Sequence, residues 1–154
     1  MSDFPIIPYE PVYREAFAAL NRAWVERHFT VEPHDIEMLY EPEKYILNDG
    51  GVILLAVTAA GEVVGTVALI ACVDGSFEMA KMTVAEEFRG HGLGRQLGEA
   101  AIAVAQQRGA SKIWLESNRS LAPALTLYRN LGFVEVPLLP SPYARADIRM
   151  ERTL

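Results

Sequence analysis

Three groups of residues in this 154-residue chain have the types and spacing to do chemistry. The first is the turn Arg89-Gly90-His91-Gly92-Leu93-Gly94, followed by Arg95. Glycines let a backbone come close to a ligand. A helix starting here offers unpaired N–H groups and a positive dipole end to an anion, with Arg89 and Arg95 as cationic donors. The second is Glu78, a carboxylate among Ala80, Met82 and Val84 if the stretch Ser76–Val84 is a regular strand. Such a carboxylate is either a base of raised pKa or one half of an ion pair, with Arg145 and Arg149 as partners. The third is Asn118 with Tyr128, a polar loop residue and a tyrosine at helical spacing from Leu121 and Leu125. Taken alone, that tyrosine reads as core and that asparagine as a turn residue.

Spacing and charge exclude several identities. The third glycine of a dinucleotide fingerprint would fall on Arg95 or Leu97, and a phosphate-binding loop ending in Gly-Lys-Ser/Thr is ruled out because Gly94 precedes Arg95 and Gln96. No Gly-x-Ser-x-Gly is present. His28 and His34 lie six apart without cysteine partners, so no metal is expected. A net charge of −6 opposes general nucleic-acid binding. No apolar run approaches the ~20 residues of a membrane span. Met1–Pro5 lacks the features of a secretory leader, and the single cysteine, Cys72, permits no internal disulfide; it reads as a buried small apolar residue. These features predict a cytoplasmic setting. Residues 1–50 hold ten acids and four bases, which accounts for the whole excess. The densest part, Glu32, Asp35, Glu37, Glu41 and Glu43, is either a solvated helix face or an attractant for a cationic partner.

The length and a composition 51% hydrophobic and 22% charged predict one globular domain over residues 1–154. Residues 1–10 read as extended. Helices are predicted from about Val12 to Phe29, where Phe17, Leu20 and Trp24 share a face, and from His34 to Tyr40. Strands follow at Val52–Thr58, Val63–Ala71 and Ser76–Val84, an antiparallel meander punctuated by Gly61 and Gly75. The helix after the glycines runs from Leu93 to Arg108 on the stripe Leu93, Leu97, Ala101, Val104. Lys112–Glu116 is a strand, parallel because a helix intervenes. Ser120 is placed to cap a helix that Gly132 ends. Phe133–Val136 and Ala146–Arg152 are the last strands, separated by the proline-rich loop Pro137–Pro142.

Arg89-x-x-Gly92-x-Gly94, Met82-Thr83-Val84 before it, and Asn118…Leu125-x-Leu127-Tyr128-x-x-x-Gly132-Phe133 after it together resemble the GNAT superfamily of N-acetyltransferases. The resemblance covers residues 50–152. It implies an α/β acyltransferase fold: a mixed, mainly antiparallel sheet with helices on both faces and a splayed central strand pair. It implies acetyl-coenzyme A as co-substrate, its pyrophosphate on Arg89, Gly90, His91, Gly92, Leu93, Gly94 and Arg95, its pantetheine arm along Met82, Thr83 and Val84. The Val84 N–H would stabilise the oxyanion. Glu78 would be the base, Glu116 a second choice, Tyr128 the acid at the sulfur, and Asn118 would bond the arm or order a water. The acceptor side would comprise Trp24, His28, Glu32, His34, Glu78, Tyr143 and Arg145. Arg145, Arg149 or Arg119 could instead clamp an acceptor carboxylate. The expected partner is a small-molecule amine, with a homodimer as an allowed assembly. A protein lysine or N-terminus is the alternative acceptor, and a non-catalytic acyl-coenzyme A sensor the alternative class.

Overall fold

The computed structural model describes residues 4–154. Seven strands form one sheet: β1 (Ile6–Pro8), β2 (Val52–Val57), β3 (Val63–Ala71), β4 (Phe77–Val84), β5 (Lys112–Ser117), β6 (Val134–Val136) and β7 (Ile148–Thr153). Their order is β1-β2-β3-β4-β5-β7-β6. Every neighbouring pair is antiparallel except β4 and β5. The extended reading of the N-terminus resolves into an edge strand, Ile6 to Pro8 against Ala56 to Leu54; Met1–Asp3, part of both the extended and the leader readings, lie outside the described residues. The Val/Ile/Leu-rich β2 and β3 are buried on both faces, which explains their near-continuous apolar runs.

Helices α1 (Arg14–His28) and α2 (Pro33–Tyr40) cover one face, packing Phe17, Met38 and Leu39 on Ile53, Leu55 and Ala68. Helices α3 (Leu93–Gln107) and α4 (Ala122–Asn130) cover the other, with Leu97, Ala101 and Leu125 in a core shared with Met79, Ile113 and Met150. A Cβ at Gly98 would stand 2.5 Å from Leu131 Cδ1, so the glycine lets the end of α4 close onto α3. Ser120 does not cap α4. Its hydroxyl and N–H both donate to Asn118 Oδ1 (2.6 and 2.9 Å), and Leu121 takes the cap position without a side-chain bond. Cys72 is half-buried at the end of the β3–β4 hairpin rather than enclosed.

Strand β4 departs from regular alternation. Ala68 pairs with Ala80 but Thr66 with Thr83, so one extra residue sits in β4, and Lys81 takes φ 54°. The bulge overturns the regular-strand parity. Phe77 and Met79 face α3, as do Met82 and Val84 after the bulge, while Lys81 and Thr83 join Glu78 on the α1 face. Left-handed backbone disfavours a lysine, and three bonds hold it there. Thr66 Oγ1 donates to the Lys81 carbonyl (2.6 Å), and Lys81 Nζ reaches Asp35 Oδ1 (3.3 Å) and Tyr143 Oη (2.9 Å).

The buried Asn21 of α1 fastens the same place. Its Nδ2 donates to the Phe17 carbonyl (3.0 Å) and to Thr66 Oγ1 (3.1 Å), while its Oδ1 accepts from Thr83 Oγ1 (2.7 Å). Asn21→Leu removes those partners and leaves the buried Thr83 hydroxyl without its acceptor. It is expected to destabilise the fold by about 1–3 kcal/mol in urea denaturation, against near-neutrality for an exposed change such as Glu26→Gln.

Candidate active site

Strands β4 and β5 pair only at Phe77–Ile113 and Glu78–Trp114, then splay. The Ala85 N–H bonds the Val64 carbonyl (2.8 Å), so by antiparallel alternation the Val84 N–H turns away from β3 into the splay. A cavity of about 760 Å³ opens there, bounded by β4, the glycine turn, the start of α4 and the end of α1.

One end is a cradle for an anion. Gly90 and Gly92 take φ 80° and 78°, conformations that disfavour other residues, and Gly92 sits at the α3 N-cap position. The first hydrogen bond of α3 runs from Gln96 N to the Gly92 carbonyl, so the N–H groups of Leu93, Gly94 and Arg95 have no helical partner. A Cβ at Gly94 would stand 3.3 Å from Leu127, in the narrow gap between α3 and α4. Arg89 Nε donates to the Val84 carbonyl (3.2 Å), tying the turn to the strand end. Arg89, Gly90, Gly92, Leu93 and Gly94 line the cavity, together with Met82, Thr83 and Val84; His91 and Arg95 do not, and Arg95 pairs with Glu99. Backbone donors, glycine access and a helix start suit the diphosphate of a coenzyme A.

Tyr128 and Asn118 also line the cavity. Burial pushes the Tyr128 phenol up to about 12, its ring packs edge-on against Phe133, and its hydroxyl has no hydrogen-bond partner among the described residues. Asn118 Nδ2 donates one N–H to the Arg145 carbonyl (2.8 Å), and Oδ1 accepts from Ser120. It therefore fastens the loop after β5 to the loop before β7.

At the far end stand Glu78 and Glu116, on one face of adjacent strands. Burial, then the charge of Glu116, raises Glu78 to about 7 against the pull of Lys81 and Arg149. Neither arginine forms the ion pair considered from sequence. Arg145 donates to both carboxylate oxygens of Asp35 (2.9 and 2.8 Å) and to Glu32 (3.4 Å), while Arg149 lies 3.8 Å over Trp114 and pairs with Glu151. Arg119 is likewise taken by Glu135. All three guanidiniums are thus paired with carboxylates of this chain.

Four of the five acids in the run are also engaged within the chain, all but the exposed Glu41. Burial opposes ionisation of Asp35, yet the bonds from Arg145 and the Glu32 backbone, with the nearby Lys81 charge, hold it down at about 2. Glu32 accepts from the Ala144 N–H (3.0 Å), Glu37 faces His34, and Glu43 binds Arg14 and Tyr9. Of the predicted acceptor residues, Trp24, His28, Glu78, Tyr143 and Arg145 line the cavity; Glu32 and His34 stand behind it. Sequence reasoning missed Lys81, whose ammonium is buried in the lining and disfavoured there by burial, and Asn21. A lysine inside an apolar strand was the available signal for the first.

Residues 14–133 match the profile of the Acetyltransferase (GNAT) family. The chain belongs to the GNAT family of acetyltransferases. Its fold agrees: an acetyltransferase of the GNAT family from Staphylococcus aureus superposes with a TM-score of 0.90 at 24% identity, over 97% of this chain and 98% of that one. An uncharacterized N-acetyltransferase, YjgM of Escherichia coli K12, is 30% identical over 84% of this chain and 78% of its own length. The [Ribosomal protein bS18]-alanine N-acetyltransferase of the same organism is 37% identical over 68 residues; that match covers 44% of this GNAT chain and 46%, less than half, of the relative.

Proposed function

We propose that this protein transfers an acetyl group from acetyl-coenzyme A to a primary amine of a small molecule, by direct attack within a ternary complex. One observation carries the reading. One cavity is lined by a glycine cradle at one end, by a carboxylate of raised pKa at the other and by the Tyr128 phenol, the last two without a hydrogen bond to the described residues. Acetyl-coenzyme A supplies the acyl group as a thioester. The cradle holds its phosphates, and Met82–Val84 present backbone to its arm along the open edge of β4. The Val84 N–H is a fixed donor for an acyl oxygen as negative charge builds on it. An alkylammonium of pKa about 10.4 must lose a proton, which costs roughly 4–5 kcal/mol at pH 7. Glu78, at about 7, accepts it directly or through water near its own titration point. Tyr128 stays protonated at neutral pH and gives its proton to the departing sulfur, and the second proton shed by the acylated nitrogen restores the phenol. Asn118 holds the wall on which both sites depend.

The test is calorimetric binding of acetyl-coenzyme A, followed by thiol release with a panel of amines. No binding would sink the proposal. Tyr128→Phe is expected to lower kcat by about 10- to 100-fold while donor affinity holds, and full activity would return the tyrosine to a packing role. A second reading, transfer to a protein N-terminus, is favoured by the relative that acetylates an alanine of bS18. An alanine-ended peptide in the same panel separates the two.

A further inference from the structure

We infer that the acceptor cleft takes a cationic amine bearing no carboxylate, such as an alkyl diamine or arylalkylamine, and rejects the corresponding amino acid. The inference deepens the proposed amine acetylation and rests on it. It is carried by which charges around the cleft are already engaged. Two cations reach the lining at the acceptor end. Lys81 Nζ bonds Asp35 and Tyr143 Oη and lies 4.9 Å from the Tyr143 ring centroid. Arg145 places both terminal nitrogens on Asp35, and its guanidinium lies 4.3 Å from the same ring. Asp35 is wholly enclosed, so neither cation can swing to a ligand without breaking a buried pair. Arg149, next on this face, is stacked on Trp114 and paired with Glu151.

The acids are placed otherwise. Among the described residues Glu78 has no hydrogen-bonding partner, and Glu116 accepts only from Ser141 Oγ (2.7 Å), leaving its second oxygen open. Glu78 is level with Trp114, so Glu116 lies two residues farther along β5, about 7 Å by strand rise. Trp24 lines the same end beside Phe29 (centroids 5.9 Å apart), an aromatic surface for an apolar stem or a second ammonium. An ammonium entering here meets two carboxylates; an amino-acid carboxylate meets like charge and, among the described residues, no lysine or arginine left disengaged at that end.

Matched acceptors test this: cadaverine against lysine and tyramine against tyrosine, with kcat/KM read by thiol release from acetyl-coenzyme A. Each decarboxylated member should exceed its amino acid by at least about tenfold. Glu116→Gln should narrow the cadaverine-to-lysine ratio severalfold. Equal or reversed ratios, or a ratio untouched by Glu116→Gln, would overturn the inference while leaving amine acetylation standing. If turnover is below detection, calorimetric titration of the same pairs into the coenzyme A-bound protein reads the preference as a Kd ratio. Equal affinity within a pair, or no binding by either amine, overturns it too. Failure to bind acetyl-coenzyme A at all would instead strike the proposed function itself.

Discussion

Glu78→Gln is expected to lower kcat by at least about a hundredfold while acetyl-coenzyme A binds as before, the size of a general-base contribution. Gln keeps the shape and removes the proton acceptor. The wild-type kcat/KM should rise with pH through about 7, where Glu78 loses its proton, and the variant should lose that limb. Unchanged turnover would take Glu78 out of the mechanism. Stability should move the other way. The Glu78 carboxyl titrates near 7 when folded against 4.5 when free, so between those values the native state holds more protons than the unfolded one. Its stabilising proton is fully present below about 4.5 and is lost as pH rises through 7. Above pH 7 the wild type therefore carries a burden of up to about 3 kcal/mol that Gln does not. A variant less active and more stable at pH 8, with the stability difference vanishing near pH 4, is the combined signature, measured by urea denaturation at both pH values.

Gly92→Asp is expected to raise the Kd for acetyl-coenzyme A by about a hundredfold or more, equivalent to roughly 2.7 kcal/mol. The position sits at φ 78° at the head of α3, and a Cβ there meets nothing within 4 Å. Crowding is thus not the mechanism. An aspartate carboxylate would repel the phosphates and compete for the helix N–H groups that should receive them. Because it satisfies those donors, the fold should largely survive. Gly92→Ala isolates the backbone effect and should weaken binding only severalfold; calorimetry on the pair separates charge from strain. Equal losses in both would shift the explanation to backbone geometry.

The parts legible in sequence are those written locally. Val63–Ala71 matches its strand to the residue, and Leu93 opens α3 as read, because alternation, helical stripe and flanking glycines lie within the segments themselves. The bulge at Lys81 is different. It depends on Thr66 and Asn21, which reach it from β3 and α1, and no feature of Phe77–Val84 alone announces it. The same holds for the acidic run. Asp35 reads as one charge among five, yet a partner 110 positions away makes it a buried anchor behind the cavity wall. Asn118 was identified as a site residue by resemblance, but its amide bonds to Arg145 and Ser120 follow from loop packing that spacing does not encode.

The seam between β4 and β5 has a consequence for how the molecule assembles. Strands β1 to β4 are joined by antiparallel ladders, and β5 to β7 by another, but only two residue pairs stitch the halves, at Phe77–Ile113 and Glu78–Trp114. Closing that stitch spans 36 positions of chain, the crossover that contains the glycine turn. Long-range parallel closure is slow and entropically dear. The cavity in the splay therefore lies along the least cross-linked line in the sheet, held from beneath by the α3 core that touches both halves. A bound donor would act as mortar in that joint, contributing cohesion that the polypeptide alone does not supply.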